Sequence, residues 1–322
     1  MSALSEDDLI ARYFAPWAGA GGFALKDDAA ALTPPDGCEL VLTVDALVAG
    51  VHFFADDPPG AVAKKALRVN LSDLAAKGAD PLGFLLALSL PKGWEPSWLE
   101  AFSQGLREDA AAYGCPLLGG DTTRTPGPLT LSITAVGATR EGAMVKRFGA
   151  RPGDLLYVTG TIGDAALGLA CREGLRGLTP AHRAFLEDRY LLPRPRNDAA
   201  RAMRDHARGG MDVSDGFVGD LTKMMRASGC GARVELQRVP FSDAARAAMA
   251  LEPALCERAM TGGDDYELLA AVEPARAGAF EEAMRAAGVA VTQVGEARAA
   301  GVAFIAADGR ETRFAHGSFQ HF

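Results

Sequence analysis

Aspartate is the residue type through which this sequence offers chemistry. One arrangement recurs at six places: an aspartate at the edge of an apolar element, usually with Gly, Ser or Thr beside it. The places are Asp27-Asp28, Asp45, Asp73, Asp121, Asp212 with Asp215, and Asp264-Asp265. Glycine lets a backbone approach a ligand closely. Hydroxyls and free carbonyls add neutral oxygen donors. All-oxygen shells of this kind suit hard cations such as Mg²⁺. Two carboxylates ~4 Å apart repel by roughly 4 kcal/mol at an effective dielectric near 20, so several share one site only with cations or protons present. Taken singly, each aspartate also fits a helix cap or a turn.

Other chemistries fit poorly. No G-x-x-x-x-G-K-[ST] is present, so a nucleotide is not held by a P-loop. Gly160 and Gly163 form only a G-x-x-G. The nucleophile elbow G-x-S-x-G is missing, which argues against that class of hydrolase. Five histidines without an H-x-x-x-H pair argue against zinc. A formal net charge of -8 argues against a general nucleic-acid binder. It leaves room for a phosphate substrate if divalent metals intervene. Cys38, Cys115, Cys171, Cys230 and Cys256 form no C-x-x-C, as expected of a reduced cytoplasmic setting. The segment from Met1 to Asp8 has no basic, apolar leader pattern, so no signal peptide is expected. No run approaches the ~18 apolar residues of a membrane helix.

The elements that must position the aspartates follow from periodicity. Ser5 and Asp8 resemble a capping box for a helix over 5–14. Ala15 to Gly22 reads as loop. Glu39 to Asp45 is a β-branched strand pattern that ends at an aspartate. A helical pattern begins near Pro59, and Val62, Ala66, Asn70 and Asp73 share one of its faces. Gly78 suits its end. Leu82 to Leu90 and Leu129 to Gly137 read as strands, and Trp98 to Tyr113 as a helix. Turn chemistry from Arg147 to Asp154 marks a boundary near 140–154, dividing 1–140 from 141–322. Beyond it come a strand at Leu155–Thr159, a helix from near Ala165, a helix from Phe217 to Ser228, and strands near Val234 and Leu268. Strands and helices alternate in both halves, which indicates mixed α/β architecture.

Taken together, six segments resemble the thiamine-monophosphate kinase family. They are Lys26–Ala30, Thr43–Phe53, Val69–Pro81, Gly119–Thr123, Asp212–Gly216 and Gly262–Leu268, in that family's order over nearly the whole chain. The ending, Phe319–Phe322, also looks like the family's terminus. The wider superfamily includes aminoimidazole ribonucleotide synthetase, selenide water dikinase and a hydrogenase-maturation protein. Gly50-Val51-His52-Phe53 and the terminus favour the thiamine branch.

The resemblance implies a mixed α+β, two-domain aminoimidazole ribonucleotide synthetase-like fold. Residues 1–140 would bind metal and ATP and pair their sheet with that of a second subunit. Residues 141–322 would close over nucleotide and substrate. It implies transfer of the ATP γ-phosphoryl group to thiamine monophosphate in a cytoplasmic homodimer, with several Mg²⁺ ions and without nucleic acid or membrane. Asp28, Thr43, Asp45, Asp73, Asp121 and Asp212 would hold Mg²⁺, Val44 would add at most a backbone carbonyl, and Asp215 would hold a further metal. Tyr113, Gly120, Asp121, Arg147 and Ser214 would bind ATP, and His52, Asp264 and Phe319 the thiamine substrate. No general base is assigned, because a phosphate monoester acceptor is largely ionised at neutral pH. Lys26, Val44, Lys77 and Asp264 depart from the family's usual glycine, threonine, methionine and glutamate. The residues alone leave two alternatives: another ATP-dependent superfamily enzyme such as a ribonucleotide ligase, or a non-catalytic divalent-cation-binding protein.

Overall fold

The alternation of Leu40, Leu42 and Val44 with Val41, Thr43 and Asp45 gives the first strand, β1 (Cys38–Val48), two distinct faces. The structure is a computed structural model and describes residues 5–315, 317 and 318. It divides into two compact units, 1–74 with 80–142 and 75–79 with 143–322.

The first unit opens with α1 (Glu6–Tyr13), capped by the expected Ser5–Asp8 box. Two short 3₁₀ turns, Ala15–Trp17 and Ala20–Leu25, occupy the segment read as loop. After β1 come α2 (Pro59–Ala76), β2 (Asp80–Pro91), α3 (Pro96–Ala112), β3 (Leu117–Thr125) and β4 (Thr130–Arg140). Pro59 opens α2 with a preset φ, and Gly78, at φ 68°, turns the chain just beyond the helix end. The four strands form one sheet in the order β1-β4-β2-β3, leaving β1 and β3 as its edges. Only β2–β3 is parallel. One face of the sheet is packed: Leu131, Ile133 and Ala135 of β4 are fully buried, as are Leu67, Leu71 and Leu74 of α2 and Leu99 and Phe102 of α3. The other face keeps Leu42 and Val44 65% and 61% exposed, with Leu40 and Leu85 also uncovered.

In the second unit a seven-stranded sheet runs β11-β10-β7-β9-β5-β8-β6. Its elements are β5 (Leu155–Thr159), α4 (Asp164–Glu173), α5 (Pro180–Leu191), α6 (Ala200–His206), β6 (Ala207–Asp212), α7 (Phe217–Ala227) and β7 (Gly231–Glu235). There follow α8 (Asp243–Leu251), α9 (Leu255–Thr261), β8 (Leu268–Val272), α10 (Ala277–Ala286), β9 (Val291–Arg298), β10 (Val302–Ile305) and β11 (Glu311–Thr312). Alternate residues of β5 serve opposite cores. Leu156 and Val158 pack with Phe217, Leu221 and Met224 of α7. Tyr157 packs with Met203 of α6 and with Phe280 and Met284 of α10. A third cluster joins α4, α5, α8 and α9 through Leu167, Leu186, Ala245 and Ala259. The sheet thus holds the ends of β6 and β8, where Asp212 and Glu267-Leu268 stand, in fixed register. Among the described residues no helix is long and apolar enough to cross a membrane.

Candidate active site

In the first unit α2 brings an acid to β1. Val62, Ala66 and Asn70 are buried along one face, and Asp73 ends that row half-buried. The Thr43 hydroxyl donates to the Asp73 carboxylate. Asp45 lies two residues beyond Thr43, on the same face of the strand, and its carbonyl accepts from Ser132 Oγ at 3.0 Å. Val44 points to the opposite, uncovered face and brings only its backbone to this region.

A second acidic group lies elsewhere on the same unit. Asp27, Asp28, Gly119, Gly120, Asp121 and Thr134 line a groove of about 870 Å³. Gly120 is required there, because a Cβ would sit 1.8 Å from the Leu86 carbonyl oxygen. The register separates this group from the first. Asp45 pairs with Ile133, Ile133 with Leu86, and Leu86 with Gly120, all on the packed face. Asp121 pairs with Ala87, which pairs with Ser132, on the open face. Asp45 and Asp121 are therefore on opposite faces and on opposite edge strands, three strand spacings or roughly 14 Å apart. Among the described residues no three of His, Cys, Asp and Glu gather closely enough to form a metal shell.

His52 sits in a tight loop after β1. Gly50, at φ 82°, turns the chain, and its N–H donates to the Phe53 carbonyl at 2.8 Å. His52 Nδ1 accepts from the Val48 N–H at 3.0 Å, which leaves the proton on Nε2 and makes that atom a donor. Lys65, itself buried, grips the His52 carbonyl at 3.0 Å. Tyr113 follows α3 with its ring 5.8 Å from the Arg68 guanidinium, which is itself fixed by a buried bidentate pair with Asp109.

In the second unit the two remaining acidic segments are hydrogen-bonded to each other. Asp264 N–H donates to the Ser214 carbonyl, Tyr266 N–H to the Val213 carbonyl and Val213 N–H to the Glu267 carbonyl, each at 2.8 Å. Gly263 allows this approach, since a Cβ would lie 2.3 Å from the Ser214 carbonyl oxygen. Asp264 and Tyr266 take φ of 74° and 52°, a left-handed conformation that costs energy in non-glycine residues. Asp212 is buried at the end of β6. Asp215, expected at a further metal, forms an ion pair with Lys223 at 2.6 Å. Arg147 is exposed in the segment before β5, and its carbonyl accepts from Ser228 Oγ at 3.3 Å. Phe319 lies outside the described residues.

Glu267 and its partners were not singled out from the sequence, whereas Asp265 was, as part of the Asp264-Asp265 pair. Glu267 is fully buried and accepts from Thr159 Oγ1 at 2.7 Å, Arg189 at 2.9 Å and Arg196 Nε at 2.7 Å. Asp265 accepts the Gly163 and Ala165 N–H groups at 2.7 and 3.3 Å, capping α4, where Gly163 has no side chain to do so. Burial pushes the Asp265 carboxyl well above the usual range; those N–H donors oppose the rise, and Asp164 and Glu267 add to it. The available signal was an acid-aromatic-acid run, Asp265-Tyr266-Glu267, placed directly against an apolar strand.

Two family descriptions cover most of the chain. The AIR synthase related protein N-terminal domain matches residues 26–139, and its C-terminal domain matches 151–307. The thiamine-monophosphate kinase of Caulobacter vibrioides is 46% identical over 297 residues, covering 91% of this chain and 84% of the relative. That of Escherichia coli K12 is 42% identical, covering 99% of each. The chain belongs to the thiamine-monophosphate kinase family. A solved structure, AaThiL complexed with AMPPCP and TMP, superposes with a TM-score of 0.79 at 28% identity, covering all of both chains. The two-domain architecture expected of a thiamine-monophosphate kinase is thus the one this chain adopts.

Proposed function

We propose that this protein transfers the γ-phosphoryl group of ATP to thiamine monophosphate, giving thiamine diphosphate and ADP. The observation that carries this reading is the match to a thiamine-monophosphate kinase across 99% of both chains. The complex of AaThiL with an ATP analogue and TMP supports it. Phosphoryl transfer asks a protein mainly to align groups and offset charge.

Thr43, Asp45 and Asp73, with Asp28, Asp121 and Asp212, would hold magnesium. The donors fit a hard cation: all are oxygens, and the buried Asn70 Oδ1, one turn before Asp73, has no hydrogen-bond partner among the described residues. Magnesium supplies Lewis acidity and charge neutralisation to such transfers when bound. The chain's own residues do the positioning. Thr43 fixes the Asp73 carboxylate, and the bonds between the two acidic loops fix Asp264 against Ser214. His52 offers Nε2–H to the thiamine moiety, with Asp264 and Phe319 as its other contacts. Tyr113, Gly120, Arg147 and Ser214 serve the nucleotide. No residue need act as base, since the acceptor oxygen is already ionised.

The working form is a homodimer, assembled through the open face of the first sheet. Leu40, Leu42, Val44 and Leu85 give that face a row of exposed apolar side chains, the kind of surface that marks an interaction site. Its edges, β1 and β3, have unpaired backbone groups. Closing two four-stranded sheets on each other buries the face and satisfies both edges. It also sets the second copy's β3, with its Asp121, beside β1 and Asp45. The metal site is then completed by both copies. Five free cysteines suit a reduced, cytoplasmic setting.

Incubation with MgATP and thiamine monophosphate, followed by ³¹P NMR and mass spectrometry, tests the reaction. Thiamine diphosphate and ADP in equal amounts are expected. ATP consumption only with a formylglycinamidine ribonucleotide would replace this reading with a ligase.

A further inference from the structure

Asp220 and Lys223 are three residues apart on α7 and share a face. That face meets the turn carrying Ser214 and Asp215. The Asp215 N–H donates to Asp220 Oδ2 at 2.8 Å. Lys223 Nζ lies 2.6 Å from Asp215 Oδ2 and 3.0 Å from Asp220 Oδ1. The Asp220 side chain is fully buried, whereas those of Lys223 and Asp215 are 30% and 39% exposed.

These facts make the ammonium hard to displace. A divalent ion at Asp215 Oδ2 would meet a positive charge already within 3 Å of it. Driving Lys223 away would leave Asp220 buried and ionised without its cation, the costly way to break a buried pair. An ammonium has three donors, and two carboxylates use two of them. The third suits an anionic oxygen such as that of a phosphate. We propose that Lys223 is the resident cation at Asp215, filling the place of a divalent ion there, so that this chain binds one ion fewer than its aspartates imply. The inference rests on the metal-assisted reading above.

Counting bound Mn²⁺ by electron paramagnetic resonance, on the full chain with a non-hydrolysable ATP analogue, tests it apart from activity. Asp215→Asn is expected to bind as many ions per chain as wild type. Lys223→Met is expected to bind one more, and the double variant to lose that gain. One ion fewer in Asp215→Asn, or an unchanged count in a folded Lys223→Met, overturns the proposal. Should Lys223→Met fail to fold, the Asp215→Asn count decides alone. Failure of the kinase reading is distinct, since it appears as missing thiamine diphosphate whatever the ion count.

Discussion

Asp45 and Asp121 occupy opposite edge strands and opposite faces of one four-stranded sheet. Within the first unit of a single chain they have no common ion to share. The open face keeps Leu42 and Val44 in water, and β1 and β3 each have a strand neighbour on one side only. In the proposed dimer a second copy covers that face and sets its β3, the strand that carries Asp121, beside β1, the strand that carries Asp45.

Leu42 and Val44 test the covering directly. They are 65% and 61% exposed in the single chain, so Leu42→Glu with Val44→Glu disturbs little of the unit's own packing. Sedimentation velocity is expected to show a dimer for wild type and a folded monomer for the double variant. A variant that stays dimeric places the interface elsewhere.

Thr43 tests the proposed metal site, since its loss is expected to affect chemistry more than folding. Its hydroxyl holds the Asp73 carboxylate. Thr43→Val should lower kcat by at least about 10- to 100-fold, since on the proposed reading it removes a ligand oxygen as well as the hydroxyl that holds Asp73. Stability should fall by only about 1 kcal/mol. Thr43→Ser should recover most of the rate. Normal kcat in Thr43→Val would remove Asp73 from the site.

Glu267 anchors the loop that carries Asp264. It is fully buried beneath Arg189 and Arg196. Glu267→Gln leaves two guanidinium groups short of their carboxylate and should cost about 3–5 kcal/mol in urea denaturation. A loss below about 1 kcal/mol would place that network among surface pairs.

Asp265 gives a pH dependence of known sign. Burial raises its folded pKa well above the ordinary value of 3.8, so the native state binds the extra proton. Stability from this group is full below pH 3.8 and declines as pH rises from there through the folded pKa. Asp265→Asn removes that decline. The Tm of the variant minus that of wild type should therefore grow as pH rises from about 4 to 7. A difference that shrinks over this range would contradict the assignment.

How much of this was legible in the sequence varied with the physics of each element. The strand expected at Leu155–Thr159 is β5 itself, the strand read over Glu39–Asp45 is observed over Cys38–Val48, and the helix read from near Pro59 runs from Pro59 to Ala76, just short of Gly78. Each has strong periodicity and a clear stop. β3 went unread because Gly119-Gly120-Asp121-Thr122-Thr123 lacks bulky alternation. Its glycines answer to the close approach of Leu86, a tertiary constraint. β6 was missed for a similar reason, since Gly209 and Gly210 weaken its pattern. The helix α8 had a readable signal, a Ser242 cap before an alanine-rich run. The aspartates were visible as a set. Their division between two faces was not, because it depends on strand order, which no local pattern encodes. Lys223 and Glu267 were likewise unread, because their importance comes from partners distant in sequence or buried on folding.

The most direct test is subunit complementation. Asp45→Asn and Asp121→Asn should each abolish thiamine diphosphate formation alone. Co-expressed with different tags, they form mixed dimers in which one site carries both lesions and the other carries neither. Random pairing under two-fold symmetry then predicts recovery of about a quarter of wild-type activity, and about half in the purified mixed dimer. A purified mixed dimer as inactive as its parents would contradict a metal site built from two copies.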